Sequence, residues 1–163
     1  MKPTLHIMIG LSASGKSTKA KELAIKHNAI IVSSDAIRGE FGEVIDQSNN
    51  NEVFKIFHQR IKDNLSKGIN VIADATNISM KSRRQIFETV KNIDCEIIGH
   101  VLTKRVEDCI TDNIYREYPV PHHVIKKQMM NYQIPFYEEG FDNIIIDDYK
   151  DEYIDDDFIN TCK

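Results

Sequence analysis

Short apolar runs alternate along this chain with longer stretches in which apolar residues return every three or four positions. The short runs read as five strands: Leu5–Ile9, Ala29–Val32, Val71–Ala73, Glu96–Leu102 and Asn143–Ile146. The 3.6-residue periodicity between them predicts helices over Lys16–His27, Glu52–Lys67, Lys81–Lys91, Arg105–Arg116 and His122–Tyr137. In Glu52–Lys67 the residues Val53, Ile56, Phe57, Ile61 and Leu65 share a face, and Gly68 follows as a stop. Pro119 and Pro121 break the chain between the last two helices. Strands separated by helices imply βαβ units with right-handed crossovers. The expected fold class is α/β, a five-stranded parallel sheet flanked by helices, as one domain over residues 1–163. Ligands of such sheets sit outside the carboxyl ends of the strands, so the segments following each strand are the ones to search for chemistry.

Composition narrows the class. With 41% apolar and 28% charged residues the chain can fold around its own core. No run approaches the ~18 apolar residues of a membrane span. The N-terminal stretch Met1–Gly10 turns polar too soon for a secretion signal, so the reading is a cytoplasmic protein without a membrane partner. Cys95, Cys109 and Cys162 are odd in number and widely spaced, which points to reduced thiols. The net charge of −4 is uneven: residues 138–163 carry −8 and residues 1–137 carry +4. The acidic segment from about Asp147 reads as a solvated end. The acidic total opposes tight, sequence-independent nucleic-acid binding, and the mildly basic body weakens that objection.

The segment after the first strand carries the strongest signal. Gly10-Leu11-Ser12-Ala13-Ser14-Gly15-Lys16-Ser17 fits the GxxxxGKS phosphate-binding pattern, and it lies between a strand and a helix as that pattern requires. Gly10 and Gly15 permit backbone dihedrals that a side chain would forbid. The N–H groups of this loop, continuing through Thr18, then converge on phosphate oxygens at a helix N-terminus. Lys16 brings a point charge to the terminal phosphates and Ser17 a hydroxyl to Mg²⁺. The implied ligands are ATP and Mg²⁺. The chain has no NKxD guanine motif and no oligomerisation module, which lowers the GTPase and motor readings and leaves small kinases.

Three further segments follow strands. Asp35, in Ser33-Ser34-Asp35-Ala36-Ile37-Arg38, can take the proton of an attacking hydroxyl or align it, and Arg38 one turn later can grip an acceptor phosphate. Helix capping by Ser34 or Asp35 is the bland alternative. Asp74, in Asp74-Ala75-Thr76-Asn77, occupies the usual place of a carboxylate on the Mg²⁺ side, directly or through water. Thr76 and Asn77 are short donors expected in the same crevice, with a plain turn as the alternative. Asn113 and Arg116 are one turn apart, and an arginine from a mobile lid can neutralise charge on a transferring group. Lys126, Lys127, His122 and His123 read as solvated, and no third ligand suggests zinc.

Taken in order, the phosphate loop, D-x-x-R, D-x-T-N and R-x-x-x-V-P resemble the phage 5′-polynucleotide kinase family, from about Leu5 to Ile146. The resemblance implies a P-loop kinase sheet with a helical lid and phosphorylation of the 5′-hydroxyl of DNA or RNA ends. It implies that Lys16 and Ser17 bind ATP phosphates and magnesium. It also makes Asp35 the general base, Arg38 the grip on the acceptor's 3′-phosphate, and Arg116 the lid arginine. Family members often carry a second lid arginine one turn earlier, where this chain has Asp112. Related kinases with the same core phosphorylate nucleosides, nucleotides, sugars or sugar nucleotides, so a small acceptor is the alternative. A nucleotide-dependent switch is a third reading, and Asp35 counts against it.

Overall fold

The computed structural model of the chain describes residues 1–42, 50–117 and 119–147. The acidic segment beyond Asp147, with Cys162, lies outside the described residues. The elements are β1 (Thr4–Ile9), α1 (Lys16–His27), β2 (Ile30–Ser33), α2 (Ser34–Glu40), α3 (Asn50–Ser66), β3 (Val71–Asp74), α4 (Met80–Val90), β4 (Glu96–Leu102), α5 (Val106–Asn113), α6 (His122–Met130) and β5 (Asn143–Asp147). All five strands pair in parallel, in the order β2-β3-β1-β4-β5.

Side-chain alternation along β1 divides the core. Leu5, Ile7 and Ile9 face the layer of α3 and α4, where Phe57, Ile61, Leu65, Ile86 and Val90 cover the sheet. Met8 points the other way, with Ile72 against Ala20 and Leu23 of α1. A smaller cluster of Leu11, Cys109 and Ile125 seats α5 and α6 against the phosphate loop. Among the described residues, no helix is long and apolar enough to cross a membrane.

The α1 face of the sheet also buries a histidine pair. His6 and His100 are 1% and 3% exposed, with Nδ1 of His6 2.9 Å from Nε2 of His100. The ring of His27 lies 4.7 Å from that of His6. Burial, reinforced by neighbouring imidazoles, lowers the pKa of His6 to about 4. Burial also lowers His100 to about 4, with Lys19 and Lys26 adding to it and Asp147 opposing it. Both rings are therefore neutral at pH 7, one nitrogen donating and the other accepting.

The helical lid is shorter than its periodicity suggests. The predicted helix His122–Tyr137 stops at Met130. Asn131 closes the last turn through its N–H to Lys127 and Gln128 carbonyls, and Gln133 leaves to donate its N–H to Ile78 O at 2.8 Å. Pro135 then keeps Ile134 out of the helical region. The predicted helix Arg105–Arg116 likewise stops at Asn113. The Asn113 amide donates to Val120 O at 2.6 Å and accepts from Val120 N at 3.1 Å, folding the following chain back onto α5. Arg116 therefore sits on a turn beyond the helix, and Asn113 serves the lid's backbone rather than a shared functional face.

One buried ion pair ties the layers together. Arg83 of α4 is fully buried, donating to Glu139 through Nε at 2.9 Å and Nη2 at 3.1 Å. Its Nη1 donates to Asn77 O at 3.0 Å, directly behind the carboxyl end of β3.

Candidate active site

The loop from Gly10 to Gly15 leaves β1 at the carboxyl edge of the sheet. Gly10 donates its N–H to Thr76 O at 3.0 Å, which joins the loop to the end of β3. A Cβ on Gly10 would stand 2.7 Å from Ser14 Oγ and 3.1 Å from Leu102 Cβ, so the loop can close only over glycine. Gly15 has φ +92° at the start of α1 and offers no side-chain cap. The first turn of α1 contains no acidic residue. Its N–H groups and the positive end of the helix dipole consequently face the loop without an internal partner, as an anion site needs.

Lys16 is buried, with Nζ donating to Leu11 O at 2.7 Å. Burial lowers its pKa to about 8, opposed chiefly by the nearby Asp74 carboxylate. Ser17 Oγ donates to Asp74 Oδ2 at 3.1 Å. Burial raises the Asp74 pKa, with Lys16 and the Ser17 hydrogen bond opposing it. A hydroxyl and a buried carboxylate in contact form a hard-oxygen donor set, which fits Mg²⁺ bound through one protein carboxylate and substrate phosphates.

Asp35 faces this group across a cleft of about 240 Å³ that Lys16, Ser17, Asp74 and Thr76 also line. The helix cap belongs to Ser33, whose Oγ accepts from Ala36 N at 3.2 Å. The carboxylate of Asp35 is thereby left to two arginines. Arg38 Nη1 meets Oδ1 at 2.7 Å, and Arg116 Nη2 lies 3.5 Å from Oδ2. Arg38 is buried and donates its Nη2 to Asn50 Oδ1 at 3.0 Å. Arg38 Nε and Arg116 Nη1 are buried without a hydrogen-bond partner. Two guanidinium groups with N–H still to satisfy are suited to phosphate oxygens.

Among the expected site residues, Asn77 is placed differently. It has φ +48° and is 3% exposed. Its amide turns backward, donating to Met8 O at 2.8 Å with the Ala73 and Ala75 carbonyls close by. Asn77 thus braces β1 against β3 underneath the crevice and is not a donor within it. Thr76 does line the cleft. Asp112, where the resemblance leads one to look for a second arginine, forms an ion pair with Lys104. Lys104 lines the outer side of the loop together with Gly15, Thr18 and Arg116.

Sequence reasoning missed Gln128. It accepts from Ser12 N at 2.9 Å and donates to Ser12 Oγ at 3.0 Å, clasping α6 onto the phosphate loop. No signal announces it, because the partners are 116 residues apart and neither pairing belongs to a motif. Asn50, which accepts from Arg38, and Phe54, which lines the cleft, also belong to no motif in the sequence.

The family model AAA_33, described as an AAA domain, matches residues 5–135. The chain belongs to this family. The L-seryl-tRNA(Sec) kinase of Methanococcus maripaludis is similar to this AAA_33 chain, with 29% identity over 143 residues. The match takes in 80% of this chain and 53% of that kinase, so the chain spans about half the length of its curated relative. A chain of the Pnkp1/Rnl/Hen1 RNA repair complex superposes with a TM-score of 0.69 at 26% identity, over 79% of this chain and 43% of that one. Kti12 of Chaetomium thermophilum, solved with ADP-AlF3, superposes with a TM-score of 0.71 at 18% identity, over 91% of both chains. The sheet order, the loop and these likenesses establish a P-loop kinase fold.

Proposed function

We propose that this chain transfers the γ-phosphoryl group of ATP to the 5′-hydroxyl of a DNA or RNA end. The reading rests on Asp35, held between Arg38 and Arg116 in the cleft that Ser12, Lys16 and Ser17 of the phosphate loop and its helix also line. A carboxylate there receives a hydroxyl proton, and the arginines receive phosphate charge on either side of it.

The triphosphate rests on the loop N–H groups and the first turn of α1, with Lys16 at its terminal phosphates. Mg²⁺, when bound by Ser17 and Asp74, neutralises phosphate charge. The 5′-hydroxyl oxygen attacks the γ-phosphorus in line. A new P–O bond forms as the bond to the β–γ bridging oxygen breaks, and ADP leaves with that electron pair. The hydroxyl proton passes to Asp35. Arg116 neutralises charge developing on the transferred group. Arg38 grips the 3′-phosphate of the terminal nucleotide with the N–H that Asp35 and Asn50 leave over. The likeness to a chain of an RNA repair complex supports the acceptor class.

A second reading, a kinase of a smaller acceptor, is favoured by the modest cleft volume of about 240 Å³. An acceptor panel separates the two. Labelled γ-phosphate is offered with a 5′-hydroxyl oligonucleotide, nucleosides, nucleotides and sugar nucleotides. Label on the oligonucleotide is the expected result. Label on a small acceptor alone would keep the donor site and the base and overturn the acceptor assignment.

A further inference from the structure

A second concave surface begins where the catalytic cleft ends. Asn50 and Phe54, which line the cleft, also line a groove of about 630 Å³ between α3 and α4. That groove continues through Lys55, His58, Glu88 and Thr89 into another of about 390 Å³. The two helices run in the same direction, with their N-termini at the catalytic edge, so the groove leads away from Asp35 along the helix axes.

Its walls are basic. Lys55 and Lys62 project from α3, Lys81 and Arg84 from α4, and Lys91 closes the far end. Against these five cations stands one carboxylate, Glu88, which Lys91 already approaches at 3.2 Å. Lys55, Lys62, Lys81 and Arg84 are exposed and make no ion pair with any described residue. Four cations without an ion pair to any described residue line this one groove, as many as the whole net charge of +4 on residues 1–137. Phe54 stands half-buried at the junction, edge-on to Phe57 at 5.5 Å, where a base can stack beside it.

We propose that the groove between α3 and α4 holds the single-stranded polynucleotide behind the reacting end, its phosphates on Lys55, Lys62, Lys81 and Arg84. The proposal rests on the polynucleotide reading above and adds the path of the strand. From Asn50 to Lys62 the helix rises about 18 Å at about 1.5 Å per residue. At the ~3.4 Å spacing of a stacked strand this accommodates about five nucleotides. Acceptors should therefore bind more tightly as they lengthen to about five nucleotides and gain little beyond that.

The test uses the whole chain, with the combined Lys55→Ala, Lys62→Ala, Lys81→Ala, Arg84→Ala variant and, separately, the reversal pair Lys81→Glu, Arg84→Glu. Anisotropy of labelled DNA and RNA eight-mers is read across a salt series, alongside KM for 5′-hydroxyl acceptors of one, two, five and eight nucleotides. Binding in the alanine variant should weaken about tenfold or more, and its salt slope should shrink by about 3, at ~0.7 per lost phosphate contact. KM for a nucleoside 3′-phosphate should stay within about twofold and ATP affinity should be unchanged, which also reports that both variants are folded. Comparable effects with DNA and RNA assign the groove to the backbone, and an effect with one alone assigns it to that polymer. Wild-type affinity with an unchanged salt slope in both variants overturns the groove, even if the oligonucleotide is phosphorylated. Groove-dependent binding without any transfer to the oligonucleotide would uphold the groove and overturn the catalytic reading.

Discussion

The buried histidine pair makes stability depend on pH between 7 and 5 in a way that can be calculated. His6 and His100 have folded pKa values of about 4, below the 6.5 of an unfolded chain. A histidine with a lowered pKa binds fewer protons folded than unfolded. Its stabilising contribution is complete above 6.5 and is lost as the pH falls from there toward 4. Between pH 7 and pH 5 each unfolded ring goes from about a quarter protonated to almost fully protonated while the folded ring stays largely neutral, so each histidine withdraws about 2 kcal/mol and the pair about 4. That is a large part of the 5–15 kcal/mol typical of a domain. The assay is urea unfolding at pH 7 and pH 5, for the wild type and for His6→Leu, His100→Leu. The wild type should lose about 4 kcal/mol more than the variant over this interval. Carboxylates that titrate in the same range act on both proteins and cancel. Equal losses would refute the reasoning and mean that the imidazoles take up protons inside the fold.

Other outcomes follow from particular contacts. Arg83→Met should cost about 3–5 kcal/mol, because it strands the Glu139 carboxylate in the interior, and adding Glu139→Met should recover much of that loss in urea unfolding. Gln128→Ala removes both hydrogen bonds to Ser12, worth about 1 kcal/mol each, and should lower the unfolding free energy in urea by about 2 kcal/mol; an unchanged unfolding free energy would mean that the clasp adds nothing to the fold. Asp74→Asn keeps an acceptor for Ser17 but removes the carboxylate, so a Mg²⁺ titration of transfer should half-saturate at a concentration about tenfold or more higher. An unchanged half-saturation point would remove Asp74 from the metal site.

The parts of this molecule legible in the sequence are those whose causes are local. The apolar runs became β1 through β5 within a residue or so at each end, and the glycine spacing around Lys16 placed the loop on the strand–helix junction. The lid was less legible because its helix ends are set by distant partners. Asn113 stops α5 by bonding Val120, and the departure of Gln133 toward Ile78 stops α6 before the periodic pattern runs out. Asn77 illustrates the limit at the site. A short amide after a strand looks the same in sequence whether it faces a ligand or turns back to hold Met8 O, and the left-handed backbone at Asn77 decides it. Arg83 falls on the apolar face of α4, one turn before Ile86, and its burial depends on Glu139, 56 residues later, and on the Asn77 carbonyl. The groove is likewise invisible in sequence, since its cations come from two helices that are brought side by side by the sheet.

Asp35 is proposed to receive the proton of an attacking 5′-hydroxyl. The most direct measurement is the single-turnover rate of γ-phosphate transfer to a 5′-hydroxyl oligonucleotide by Asp35→Ala, with ATP affinity determined on the same preparation. The rate should fall by about 10²–10⁴ with ATP affinity preserved. A variant that keeps more than about a tenth of the wild-type rate would contradict it.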